Sequence, residues 1–501
     1  MRIRGLWLAL WPLALGLSEE KPFRREIPRT WDPQAMASLQ VPLATRSASP
    51  VPASAEFYYR LPEMKIFRSY PIYAPGREPA GYAEWLKQRE PELAFDSSRL
   101  RTAEDWKKAG ETVFDAPLGF ESDPFLGIVT AALIRDPAWY LKAEVPAARD
   151  GIVPFVRYVV RTKGVAEVGN LSCGMCHTRV MPDGGIVKGA QGNFPFDRTL
   201  AFKLRAALKS SKEAEVAALE REGWRFLFAA PWLRPDPLAR INNFSLSELA
   251  SVLESIPPGV LARHGTSPFS PVQVPDLIGV RERRYLDRTG LFRHRSIGDL
   301  MRYAALNQGG DDFSTYAGFM PAKLAEASPV RYSDEQLYAL SLYLYSLQPP
   351  LNPNRESTLT RHGKAIFARE GCGGCHTPPL YTNNRLTQAS GFQPPREHRR
   401  LFDILPVSIG TDPDLALRTR RGTGYYKVPS LKGVWYRGPF EHNGSVATLE
   451  DWFDPGRLND DYNPPGYRGF GVKTRAVKGH EYGLKLPAGD KAALIAFLKT
   501  L

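Results

Sequence analysis

The sequence predicts a mainly α-helical chain, built as two similar halves with long loops and an extended N-terminal region. Three observations carry that reading. A five-residue word, Cys-x-x-Cys-His, occurs twice and uses all four cysteines: Cys173, Cys176 and His177 in LSCGMCHTRV, then Cys372, Cys375 and His376 in EGCGGCHTPP. Each word has an amphipathic stripe upstream and another downstream. A proline-rich joint, SLQPPLNPNRES (346–357), separates the two sets.

The elements follow in chain order. The opening stretch MRIRGLWLALWPLALGLSEE sets Arg2 and Arg4 before an apolar run, Gly5 to Leu17. That is the layout of a secretory signal peptide, assigned to 1–18. The run is short for a membrane span and no later stretch reaches one. A periplasmic or secreted chain is therefore expected, with no membrane span after signal cleavage. Residues 19–100 are rich in proline and aromatics, as in FRSYPIYAPGREPAGYAEWL. They are expected to form a wrapping arm with little regular structure.

The first domain is assigned to 101–350. It opens with a helix that lays Gly110, Val113 and Phe114 on one face. A long insertion follows before Cys173, and SDEQLYALSLYLYSL closes the domain with Leu340, Tyr343, Leu344 and Leu347. The second domain, 355–501, repeats the order. Gly363, Ile366 and Phe367 precede Cys372, and AGDKAALIAFLKTL closes the chain with Leu494, Phe497, Leu498 and Leu501. Ser333 and Asp490 are the expected caps of the closing helices.

Four cysteines in an exported chain could make two disulfides. The histidine that follows each pair points elsewhere. Cys-x-x-Cys-His is the attachment word of c-type haem, in which two thiols bond the haem vinyl groups and the histidine ligates the iron. A zinc ribbon keeps its two cysteine pairs within one small knuckle, and these words stand in different domains. Two covalently bound haems c are expected, in two cytochrome c-like domains. The net charge of +13 suits haem propionates and an acidic partner. Nucleic acid is not an expected partner outside the cytoplasm.

The second axial ligand decides what each haem does: a doubly ligated iron carries electrons, and an open one binds small oxidants. No methionine follows Cys372. His480, in a glycine-bearing loop before the last helix, is the first candidate for haem two, and His442 in PFEHNGSVATLEDWF is the second. His398 lies in the basic stretch PPREHRRLF and reads as solvated. For haem one, Met320 stands shortly before the closing helix. If it binds, the protein is only an electron carrier. Met181 is too near His177 in sequence to reach the other face easily.

At this point the chain resembles a known superfamily. The stretch YYKVPSLKGVWYRGPFEHNGSVATLEDWF (425–453) is similar to the VPSLRNV, PYMHDGS and TLE pattern of bacterial dihaem cytochrome c peroxidases and MauG-like enzymes. GAQGNFPFDRTLAF (189–202) and VPDLIGVRERRYLDRTGLFRHRSIGDLMRYA (274–304) resemble the matching stretches of the first domain. The late first haem word and the large N-terminal region look more like the rubber-oxygenase branch. The resemblance implies that haem one does the chemistry and haem two transfers electrons, with an aromatic side chain between them. Tyr285 takes the place of that aromatic, commonly a tryptophan. In the peroxidases a glutamine and then a glutamate follow at steps of about ten residues, the glutamate as acid–base group. Here those places fall at Arg295 and Ala305, with Gln308, Asp311 and Asp312 the nearest polar residues. The resemblance also allows a calcium ion between the domains.

These readings converge on an exported dihaem oxidoreductase. Haem one would react with peroxide or dioxygen, Tyr285 and Gln308 would be the candidate catalytic residues, and an electron-donor or electron-acceptor protein such as a small cytochrome c would be the partner. A pure electron carrier with both irons six-coordinate and a rubber-oxygenase-like dioxygenase are the alternatives.

Overall fold

Two glycines set the architecture. In the computed structural model, helix Ala103–Asp115 crosses helix Asp334–Ser346 at Gly110. A β-carbon on Gly110 would stand 2.0 Å from the Ala339 carbonyl oxygen and 2.8 Å from Cβ of Tyr343. The same crossing recurs in the second half, where Thr358–Arg369 meets Ala488–Lys499 at Gly363. There a β-carbon would stand 1.9 Å from the Ala493 carbonyl oxygen and 2.8 Å from Cβ of Phe497. Only glycine lets the two backbones approach so closely. Aromatic pairs lock both crossings: Phe114 on Tyr343, with ring centres 5.3 Å apart, and Phe367 on Phe497, at 5.4 Å. The apolar stripes read from the sequence are the faces buried here.

The structure describes residues 26–123, 126–208, 210–308, 313–319, 330–465 and 476–501. The segment assigned as a signal peptide lies outside them, as do Met320, Asp311 and Asp312. Gln308 ends helix Ile297–Gln308, and its side chain is likewise outside the described part. Among the described residues, no helix is long and apolar enough to cross a membrane.

Ser333 caps its helix as expected, accepting from the Gln336 backbone N–H while Gln336 reaches back. Asp490 does not cap. The chain enters the last helix through Pro487, and Asp490 in the first turn binds Arg369 at 2.8 Å and His362 at 3.2 Å on the crossing helix.

The mainly helical expectation holds only in part, because short strands run through the loops. The insertion after Phe114 supplies three strands of a four-stranded antiparallel sheet, ordered 69–70, 157–162, 165–170 and 119–120, whose first strand comes from the N-terminal region. Its third strand ends at Asn170 and delivers the chain directly to the first haem word. A second insertion builds its own helical core from Phe196–Ala207, Glu213–Phe228 and Leu246–Glu254.

The N-terminal region holds more regular structure than the composition suggests. Residues 26–100 contain the short helices Pro33–Ala37, Ala55–Arg60 and Tyr82–Lys87. Trp31, Leu39 and Tyr58 are fully buried in the core around the first helix crossing, and Trp31 stacks on Tyr58 with centres 4.3 Å apart. Large apolar side chains gain more by leaving water than a flexible arm gains in entropy.

Candidate functional site

Each haem word is a single tight turn ending in histidine. Cys173–Cys176 is capped by Ser172, whose hydroxyl accepts from the Met175 N–H at 3.0 Å. The His177 N–H donates to the Cys173 carbonyl at 2.9 Å. Cys372–Gly374 makes the corresponding turn, and the His376 N–H donates to the Cys372 carbonyl, also at 2.9 Å.

The ring nitrogens are sorted by what faces them. His177 Nδ1 stands 3.0 Å from the Pro275 carbonyl oxygen. His376 Nδ1 stands 3.1 Å from the Pro429 carbonyl and 3.2 Å from that of Tyr381. A carbonyl only accepts, so Nδ1 carries the proton in both rings and Nε2 keeps its lone pair. Burial pushes the His177 pKa down to about 4 and lowers that of His376, so both rings are neutral at physiological pH. This is the state an imidazole needs to ligate a metal, with the second nitrogen fixed by a backbone acceptor. Burial also pushes the thiols of Cys176 and Cys372 up to about 11. A thioether has no proton to hold, so covalent attachment suits these positions.

The two proline carbonyls reveal a repeat that the sequence analysis passed over. VPDLIGV (274–280) and VPSLKGV (428–434) share five of seven residues. Gly279 and Gly433 have φ of 73° and 77°, open to glycine at little cost. The Leu277 N–H donates to Gly189, and the Leu431 N–H to Tyr381, each just downstream of its haem word. Aligning the chain on its own two haem words would have found the repeat.

The two repeats pack against each other. Tyr436 donates to Asp276 at 2.9 Å, and the Lys427 N–H donates to the Arg288 carbonyl at 3.1 Å. Between Pro275 and Pro429 lies a cavity lined by Asp276, Arg283, Tyr285, Arg288, Lys427 and Arg437. Four cations thus face one carboxylate. Burial, joined by the neighbouring guanidinium groups of Arg437 and Arg283, pushes Arg288 down to about 9, and burial also lowers Lys427 well below its usual value. Cations buried together need anions. Haem propionates are anions of the right kind, and the cavity lies beside His177 and His376, whose Nδ1 atoms face the carbonyls of its lining residues Pro275 and Pro429, so the residues present fit haem. They do not fit calcium, which takes six to eight oxygen ligands.

Tyr285 lines this cavity. It is buried, accepts from the Asp403 N–H at 3.1 Å and donates to the Asp403 carboxylate at 3.3 Å. Burial raises its pKa, so the phenol stays protonated. Arg295 turns away to Asp299 and Ser38, and Ala305 is buried in the core that also packs on Cys173.

The candidate distal histidines His480 and His442 share a buried Nδ1 without a hydrogen-bond partner and a pKa pushed down to about 3 by burial, and position separates them. The ring of His480 stands 6.3 Å from that of His376, centre to centre. Its Nδ1 is buried with no hydrogen-bond partner, and burial, then the neighbouring His376, pushes its pKa down to about 3. His442 is stacked on Tyr426 at 4.7 Å, with its backbone carbonyl accepting from the Gln273 N–H at 2.8 Å. It sits on the seam between the halves. His398 is a correction: it is buried, with Nδ1 3.0 Å from the Tyr425 hydroxyl, because helix His398–Leu401 turns the ring inward while Arg399 and Arg400 take the water. Met181 packs against the cluster of Ala190, Ile278 and Tyr436.

No family model matches the chain. A curated relative, cytochrome-c peroxidase IdrP1 of Denitromonas iodatirespirans, is 31% identical over 117 residues, covering 19% of this chain and 30% of that protein. The protein of the same name from Pseudomonas sp. (strain SCT) is 27% identical over 166 residues, covering 30% and 41%. The chain thus spans less than half the length of either. A MauG-like protein associated with microbial copper homeostasis shares 19% identity, with a TM-score of 0.31, over 58% of this chain and 88% of its own. Over the matched stretches this chain, with its two Cys-x-x-Cys-His words, is similar at low identity to bacterial cytochrome-c peroxidases.

Proposed function

We propose that the protein is an exported dihaem c-type oxidoreductase. Cys173 and Cys176 tether haem one and His177 ligates it, leaving a face open to peroxide or dioxygen. Cys372 and Cys375 would tether haem two, with His376 and His480 as the residues that would hold its iron, and it would supply electron transfer. A small cytochrome c or a similar protein exchanges electrons with it.

The pairing of His376 with His480 carries the division of labour. A nitrogen ligates a metal at about 2.0–2.1 Å and lies roughly 1.1 Å from its ring centre, so imidazoles on opposite faces of one iron have centres roughly 6.2–6.4 Å apart. The observed 6.3 Å matches. When bound, haem supplies the redox chemistry. The chain's own residues hold each imidazole neutral and oriented, and set four cations around the cavity beside them, where they would meet haem propionates. Tyr285, on the wall of the cavity between the two histidines, supports a role in passing electrons between the halves.

The ferric spectrum of the holoprotein tests the reading. One low-spin and one high-spin haem are expected, the high-spin bands vanishing with cyanide. His480→Ala should convert haem two to high spin, and His442→Ala should leave it low-spin. Two low-spin haems in the unaltered protein would make it an electron carrier and end the proposal.

A further inference from the structure

The core around Cys173 encloses a second cavity of ≈ 30 Å³, and it holds a hydroxyl without a partner. Tyr58, Met64, Leu118, Ala305 and Phe313 give it apolar walls, with Tyr332 and Arg331 beside them. Cys173 packs against the same core. The volume exceeds what one water needs, about 10–15 Å³, and suits a ligand of two or three atoms.

Tyr332 is 4% exposed, and its hydroxyl oxygen is buried with no hydrogen-bond partner. Its backbone carbonyl is engaged instead, accepting from Arg331 at 3.2 Å. Arg331 points its guanidinium to Glu63 at 2.8 Å, which neutralises its charge. Ala305 presents only a methyl group, so no carboxylate competes for the phenol from that position. A buried hydroxyl is nearly always paired, and an unpaired one calls for an explanation. Here the explanation lies in the cavity it lines. Burial holds the Tyr332 pKa well above its usual value, so the group stays a donor throughout the physiological range.

We propose that this cavity is the small-ligand pocket of the haem-one site, and that the Tyr332 hydroxyl is its hydrogen-bond donor. The pocket takes a neutral diatomic ligand of dioxygen's size and disfavours anions, because its walls are apolar and its one nearby cation is already paired. The proposal rests on the reading that Cys173 and Cys176 tether a haem with one open face.

Carbon monoxide added to the reduced holoprotein is the probe. Haem two, ligated on both sides, leaves haem one to report. A donor near the bound probe lowers its stretching frequency. Tyr332→Phe removes only the hydroxyl and should raise the frequency, with two haems per chain still present by mass. Ala305→Phe fills the cavity and should slow probe association at least tenfold. An unchanged frequency in Tyr332→Phe, with both haems in place, overturns the proposal. Fewer than two haems, or a haem one that takes no probe in the unaltered protein, instead overturns the haem reading beneath it.

Discussion

Asp287 shows at the scale of one residue how charge is managed in this interior. It is buried, with Arg263 at 3.6 Å and Arg421 at 3.8 Å. Burial works against its ionised form, but Arg263, Arg421 and Lys427 overcome that and hold its pKa below the usual carboxylate value. A depressed carboxylate contributes stability above its unfolded pKa of about 3.9, and that contribution is lost as pH falls through the folded value. Asp287→Asn should therefore destabilise the protein by about 3–5 kcal/mol at neutral pH, since it removes the carboxylate that faces two largely buried guanidinium groups. Denaturant unfolding at pH 7 and at pH 3 checks this, and the difference between variant and parent should shrink at the lower pH. The neutral imidazoles follow the same physics with opposite sign, since burial removes their charge and frees Nε2.

At the scale of elements, the helix crossings are the firmest feature. A methyl group at Gly110 or Gly363 would sit about 2 Å from a carbonyl oxygen of the facing helix, well inside contact distance. Gly110→Ala and Gly363→Ala should each cost about 3 kcal/mol or more, because two packed backbones must separate. A fall in Tm of each variant relative to the holoprotein is the measurement. The helices that cross were legible in the sequence, where Gly110, Phe114, Gly363 and Phe367 stood out by period, but their crossing at the two glycines was not. The short strands were not. Pairs such as Thr178–Val180 with Ile186–Lys188 are only three residues long, too short to establish an alternating pattern. The N-terminal helices were missed for a related reason: proline-rich composition masks short helices that tertiary burial stabilises.

Across the whole molecule, the seam between the two repeats gathers the strongest electrostatics. Lys427, Arg288, Arg283 and Arg437 line one cavity. Removing a cation near an iron favours its more positive, oxidised state. Lys427→Met should therefore lower the midpoint potential of at least one haem by tens of millivolts, given charges about 8 Å apart at an effective dielectric of about 20. Spectroelectrochemical titration reads this directly. An unshifted potential would place the propionates elsewhere.

The sequence by itself determined the haem words, the doubled helix pattern and the absence of any methionine after Cys372. Each is a local or countable property, set by covalent chemistry or by helical period. Only the tertiary structure decided which histidine faces His376, which cations share a cavity and which hydroxyl is left without a partner. Those depend on residues tens to hundreds of positions apart, such as His177 and Pro275 or Tyr332 and Met64. Packing brings such groups together, and no spacing along the chain records the outcome.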